Sequence, residues 1–111
     1  MKSVADKFDI AERSFRYLIE ALERRPEIER AVIFGSRSMG NARVGSDIDL
    51  AIYGSAVTNE TARQLSMELN EELPLPYYVD VVAYEESDNP ALRAHVDREG
   101  QELYRRTTRA Q

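Results

Sequence analysis

Along the first quarter of the chain apolar residues recur at three- and four-residue steps. Phe8, Ala11, Phe15, Leu18, Ile19 and Leu22 form one face of a helix over 4–25, which Pro26 ends. The pattern then shortens. Residues 29–34, ending in Ala-Val-Ile-Phe, read as a buried strand closed by the turn residue Gly35, and 47–53 read as a second strand broken by Gly54-Ser55. Helical spacing returns with Ala62, Leu65, Leu69 and Leu73 over 58–73, until Pro74 and Pro76 stop it. A β-branched and aromatic run, YYVDVVAY over 77–84, predicts a third strand. A third helix starts near Ser87, Asp88 and Asn89 with Pro90 in its first turn, and buries Leu92 and Val96. Gly100 interrupts it, QELYRR fits helix or strand equally, and 105–111 read as a frayed tail. Helices alternating with three strands imply an α/β sandwich around a small sheet, with residues 1–111 as a single domain.

Composition narrows the class. The 42% hydrophobic and 32% charged content is that of a globular chain, and a net charge of −5 argues against passive binding to a nucleic-acid backbone. No direct nucleic-acid binding is expected, and a polyanion would have to be held locally. With no cysteine in the chain, disulfides, thiolate catalysis and cysteine-ligated zinc are excluded. No apolar run near the N-terminus resembles a leader and no window reaches membrane-spanning length, so a cytoplasmic location and no membrane contact are expected.

Two acids one residue apart, Asp47 and Asp49, sit in the second strand, and a third, Asp80, sits in the third strand. Strand geometry sends Asp47 and Asp49 to one face and Ile48, Leu50 and Ile52 to the other. A bare Asp-x-Asp also fits a solvated acidic face. Aspartate is disfavoured in strands, however, and acids crowded in apolar surroundings repel unless a cation neutralises them; all-oxygen donors suit Mg²⁺ or Mn²⁺. Before the acids comes Gly35-Ser36-Arg37. A glycine after a strand lets the backbone approach a ligand, a serine and free N–H groups can hold phosphate oxygens, and arginine matches phosphate geometry. By itself Gly-Ser is a common turn; beside the acids it reads as a phosphate grip. Gly35 and Gly40 satisfy half of a P-loop, but Asn41 and Ala42 occupy its Lys and Ser/Thr positions. An EF-hand fails at Leu50-Ala51, and His95, the single histidine, reads as a surface residue and not as a hydrolase base.

Gly35-Ser36, ten residues, then Asp47-x-Asp49 resembles the signature of the polymerase-β-like nucleotidyltransferase superfamily, and the resemblance runs from about Glu29 to Tyr104. The chain is most similar to the minimal nucleotidyltransferase branch whose members are encoded beside HEPN-domain partners. The resemblance implies an α+β fold with a small mixed sheet flanked by helices. It implies that Asp47, Asp49 and Asp80 hold two Mg²⁺ or Mn²⁺ ions and carry catalysis, that Gly35, Ser36 and Arg37 bind the nucleotide, and that ATP is the donor. Met39 stands where many members carry a second arginine, which removes one expected phosphate or partner contact. The implied activity is transfer of AMP to a tyrosine of a HEPN-domain toxin, making the chain an antitoxin. Two alternatives stay open: a small-molecule nucleotidyltransferase whose acceptor site lies on a separate helical substrate-binding subunit, and a nucleotide-binding subunit that neutralises by occlusion. Tyr77, Tyr78 and Tyr104 are candidates either for a partner surface or for core packing.

Overall fold

The computed structural model describes Phe8, residues 10–35 and residues 47–106. Helix α1 spans Glu12–Glu23, strand β1 Arg30–Phe34, strand β2 Ile48–Tyr53, helix α2 Asn59–Met67, strand β3 Val79–Ala83, helix α3 Pro90–Glu99 and strand β4 Gln101–Arg105. The sheet order is β3-β2-β1-β4. β1 runs antiparallel to both β2 and β4, whereas β2 and β3 are parallel, so the sheet is mixed as the resemblance implied. The fourth strand is the main addition to the three expected. Gly100 explains how the chain enters it: a Cβ there would lie 2.4 Å from Val32 Cγ1 and 2.6 Å from the Val96 carbonyl, so only glycine lets the end of α3 turn this close to β1.

The sheet has two unlike faces. On one, Ile33, Ile48, Leu50, Ile52 and Val79 pack with Leu18 and Leu22 of α1 and Leu65 of α2 to form the main core. On the other, Val32, Phe34, Ala51 and Val96 make a smaller cluster with Leu92 and Val82, under α3 alone. Helix starts follow their caps. Thr58 and Thr61 exchange side-chain and backbone hydrogen bonds at the start of α2, and Asn89 Oδ1 accepts the Leu92 N–H at 3.1 Å ahead of Pro90. The α2 helix continues through a π turn over Glu68–Glu72, where Glu68 meets Arg24 and, at 2.7 Å, Arg25 at the end of α1.

Several boundaries differ from the sequence pattern. Ala11 is extended (φ −57°, ψ 140°), so the helix expected from residue 4 begins only at Glu12, while Phe8 and Ile10 are nevertheless buried in the core. Residues 1–7 and 9 lie outside the described residues. Of the three tyrosines, Tyr77 and Tyr104 pack against the core, and the Tyr77 hydroxyl accepts the Ala11 N–H at 3.2 Å; Tyr78 is 56% exposed. Arg105 closes β4, and the Arg106 guanidinium donates to the carbonyls of Ile28, Glu23, Arg25 and Leu22 at 3.1 to 3.4 Å. The remainder of the expected tail, 107–111, lies outside the described residues. Among the described residues no helix is long and apolar enough to cross a membrane.

Candidate active site

Strand register brings the acids together. Asp49 pairs across β1 with Phe34 and across β3 with Asp80, so it lies between the end of β1 and the third acid. The start of β3 is held in place by Asn70, whose side-chain amide brackets Val79, donating to its carbonyl at 2.8 Å and accepting its N–H at 2.7 Å. The Ile48 N–H donates to the Tyr78 carbonyl at 2.8 Å and extends the pairing back toward Asp47, which lies just ahead of β2. Asp47 and Asp80 are exposed and Asp49 is half-buried, so the acids sit at the rim of the sheet face and not in its interior.

Gly35 lies against Asp49. Its φ is +81°, a conformation that favours glycine, and a Cβ built there would stand 2.4 Å from Asp49 Oδ2. The absent side chain is the space the Asp49 carboxylate uses. Ser36 and Arg37, expected to grip phosphates, lie outside the described residues, as does Met39. The electrostatics agree with the crowding: the Asp49 carboxyl is pushed above the ordinary aspartate range, first by burial, then by the negative charges of Asp80 and Asp47, with His95 acting in the opposite direction. Among the described residues no group of three or more His, Cys, Asp or Glu side chains is placed to hold a metal ion. The donor chemistry nonetheless suits a hard cation, because such an ion would relieve the like-charge crowding that raises Asp49.

An open cleft of about 480 Å³ runs from these residues along the α3 face of the sheet. Gly35, Asp49 and Asp80 line one part, and Phe34, Val82, Asn89, Ala91, Leu92 and His95 line the rest. His95 keeps a partly exposed side chain, as the surface reading expected, and also lines this cleft. Its ring meets Phe34 edge-on, centroids 5.8 Å apart at 72°, and its Nε2 lies 3.0 Å from Glu99 Oε1. The signal was present in the spacing, since Leu92, His95 and Val96 share a helix face, but only the return of α3 across the sheet brings that face to Asp49. At the opposite end of the same sheet face, Tyr53 and Tyr84 stack at 4.6 Å, between Arg30 over Tyr53 and Arg93 over Tyr84.

The profile of the family described as Polymerase beta, Nucleotidyltransferase matches residues 16–109, which include every described part of this site. The chain belongs to the polymerase beta nucleotidyltransferase family. No curated protein sequence matches it. Among solved structures, a chain of a toxin–antitoxin complex with AMP-PNP superposes with a TM-score of 0.66 at 26% identity, covering 87% of this chain and 75% of that one. The tri-AMPylated Shewanella oneidensis HEPN toxin in complex with MNT antitoxin gives a TM-score of 0.63 at 24% identity, covering 86% and 72%. The toxin–antitoxin pair MntA-HepT gives 0.64 at 22% identity, covering 86% and 74%. The small mixed sheet with helices on both faces is the fold of this family.

Proposed function

We propose that the chain is a metal-dependent adenylyltransferase that moves AMP from ATP to a tyrosine of a HEPN-domain toxin and thereby acts as its antitoxin. The setting of Asp49 carries the reading: a carboxylate with a raised pKa, sharing register with Asp80 and seated in space that only a glycine at position 35 leaves open. Support for the partner and the transferred group comes from the structural neighbours, which are toxin–antitoxin complexes, one with AMP-PNP and one with an AMPylated HEPN toxin.

Asp47, Asp49 and Asp80 would hold Mg²⁺ or Mn²⁺, which supplies charge neutralisation and Lewis-acid stabilisation of a leaving pyrophosphate. Gly35 brings its backbone close to the ligand beside Asp49, and Ser36 and Arg37 are assigned to the triphosphate. Asp80, exposed at the rim, is assigned to accept the proton of an incoming hydroxyl. The test is direct. Incubated with ATP, Mg²⁺ and the HEPN-domain protein encoded beside it, the wild type should add AMP to a partner tyrosine, read by mass, and Asp47→Asn should bind the partner and add none. AMP found on an added small molecule, or neutralisation without any mass shift, would contradict the proposal.

A further inference from the structure

With the sheet order β3-β2-β1-β4, β3 is an edge strand and has a strand neighbour on one side only. On that side the Tyr78 carbonyl accepts the Ile48 N–H at 2.8 Å, so the N–H and carbonyl of Val79 point away from the sheet. Val79 is wholly buried, and two backbone polar groups left there without partners would be costly. Asn70 takes the place of the missing strand. Its Oδ1 accepts the Val79 N–H at 2.7 Å and its Nδ2 donates to the Val79 carbonyl at 2.8 Å. The Ser66 hydroxyl accepts from Asn70 Nδ2 at 3.1 Å and donates to the same Val79 carbonyl at 3.4 Å. The peptide unit joining Tyr78 to Val79 is thereby held at both ends, by Ile48 at its carbonyl and by Asn70 at its N–H, just ahead of Asp80.

A departure from regular helix delivers Asn70 to this place. Beyond Met67 the helix widens into the π turn over Glu68–Glu72, closed by the Leu73 N–H donating to the Glu68 carbonyl at 3.2 Å, and the Glu68 carboxylate is tied to Arg24 and Arg25. Single π turns of this kind are frequent at functional sites. We infer that Asn70 is a positioning residue for AMP transfer, fixing the start of β3 so that Asp80 stands opposite Asp49. The inference rests on the reading of Asp80 as the acid that takes the acceptor's proton. An edge strand held on one side frays from its ends, and Asp80 is only the second residue of β3. A displacement of about 1 Å at a reacting group is enough to cost about a hundredfold in rate. An amide side chain suits the clamp because it presents an acceptor and a donor side by side, as a peptide unit does. Aspartate would keep the acceptor and lose the donor, and alanine would lose both.

The test compares wild type, Asn70→Ala, Asn70→Asp and Arg106→Ala in AMP transfer to the HEPN-domain partner and in calorimetric affinity for Mg-ATP. Asn70→Ala should lower turnover by about tenfold to a hundredfold while Mg-ATP affinity stays within about threefold, because Gly35, Asp47 and Asp49 lie on the β1 and β2 side of the site. Asn70→Asp, which keeps the shape and the bond to the Val79 N–H, should show the same split and replaces Asn70→Ala if that variant does not fold. Arg106→Ala loosens the domain at the end of α1 and should keep wild-type turnover. Hydrogen exchange on the protein without metal or nucleotide gives a readout independent of activity: the Ile48 amide should exchange faster, relative to the amides of β1, in the Asn70 variants and not in Arg106→Ala. Wild-type turnover in the Asn70 variants, a parallel loss of turnover and Mg-ATP affinity, or an equal loss of turnover in Arg106→Ala would overturn the positioning role. A wild type that transfers no AMP would refute the reading of the acids, and the exchange at Ile48 would still decide whether Asn70 fixes the start of β3.

Discussion

The two faces of β2 carry the same backbone and opposite tasks. Ile48, Leu50 and Ile52 are wholly buried under α1 and α2, within the main apolar core. Asp49, Ala51 and Tyr53 face the other way, under a single helix that leaves a cleft at one end and an aromatic stack at the other. The first face supplies stability through area removed from water, and the second spends some of it, since Asp49 is held in the fold with its charged form disfavoured. Within one strand, positions one residue apart should therefore respond to substitution in opposite directions.

The sharpest contrast is Leu50→Ala against Asp49→Asn. Leu50→Ala should destabilise the domain by about 2–5 kcal/mol in urea unfolding, through lost burial and the cavity left behind. A smaller effect, about 1–2 kcal/mol, is expected for Gly35→Ala, from the positive φ and the collision with Asp49 Oδ2. Unlike Leu50→Ala, it should also abolish metal-dependent nucleotide binding. Arg106→Ala removes a guanidinium shared by four carbonyls at the end of α1 and should cost about 1 kcal/mol with nucleotide binding intact, because it touches neither face of β2. If Arg106→Ala instead impaired nucleotide binding, stability and chemistry would not be separable by face.

The smallest effect is a pH dependence. The folded-state pKa of Asp49 is raised above its unfolded value, so as pH rises past the unfolded value the unfolded chain gives up the proton first. The metal-free protein therefore loses stability as pH rises from the unfolded to the folded pKa, and keeps that deficit above it. Asp49→Asn should flatten this part of the pH profile measured by thermal unfolding without metal. An unchanged slope would mean that the crowding of acids has no thermodynamic weight.

How much of this was legible beforehand follows from the reach of each signal. The alternation of Asp47, Ile48, Asp49 and Leu50 is local, and it separated the two faces of β2 without any knowledge of the partners. Asp80 was legible for the same reason, as an acid centred in an apolar run. β4 was not, because QELYRR has one buried position, Leu103, and its strand character comes from β1 and the tight passage at Gly100. The start of α1 was misplaced because Phe8 and Ile10 are buried, as a helical face would be, yet belong to chain outside the helix. His95 escaped because a histidine on a helix means little until tertiary packing places it beside Phe34 and Asp49.

The central claim, that the acid face is built to hold metal and nucleotide, is tested most directly by thermal unfolding of the wild type and Asp49→Asn with and without Mg-ATP. Without ligand, the variant should melt at or above the wild type, because a disfavoured charge has been removed. With saturating Mg-ATP, the wild type should rise by ligand linkage and the variant should move little, so the order reverses. A variant that melts below the wild type without ligand, or that gains as much from Mg-ATP as the wild type does, would contradict the account.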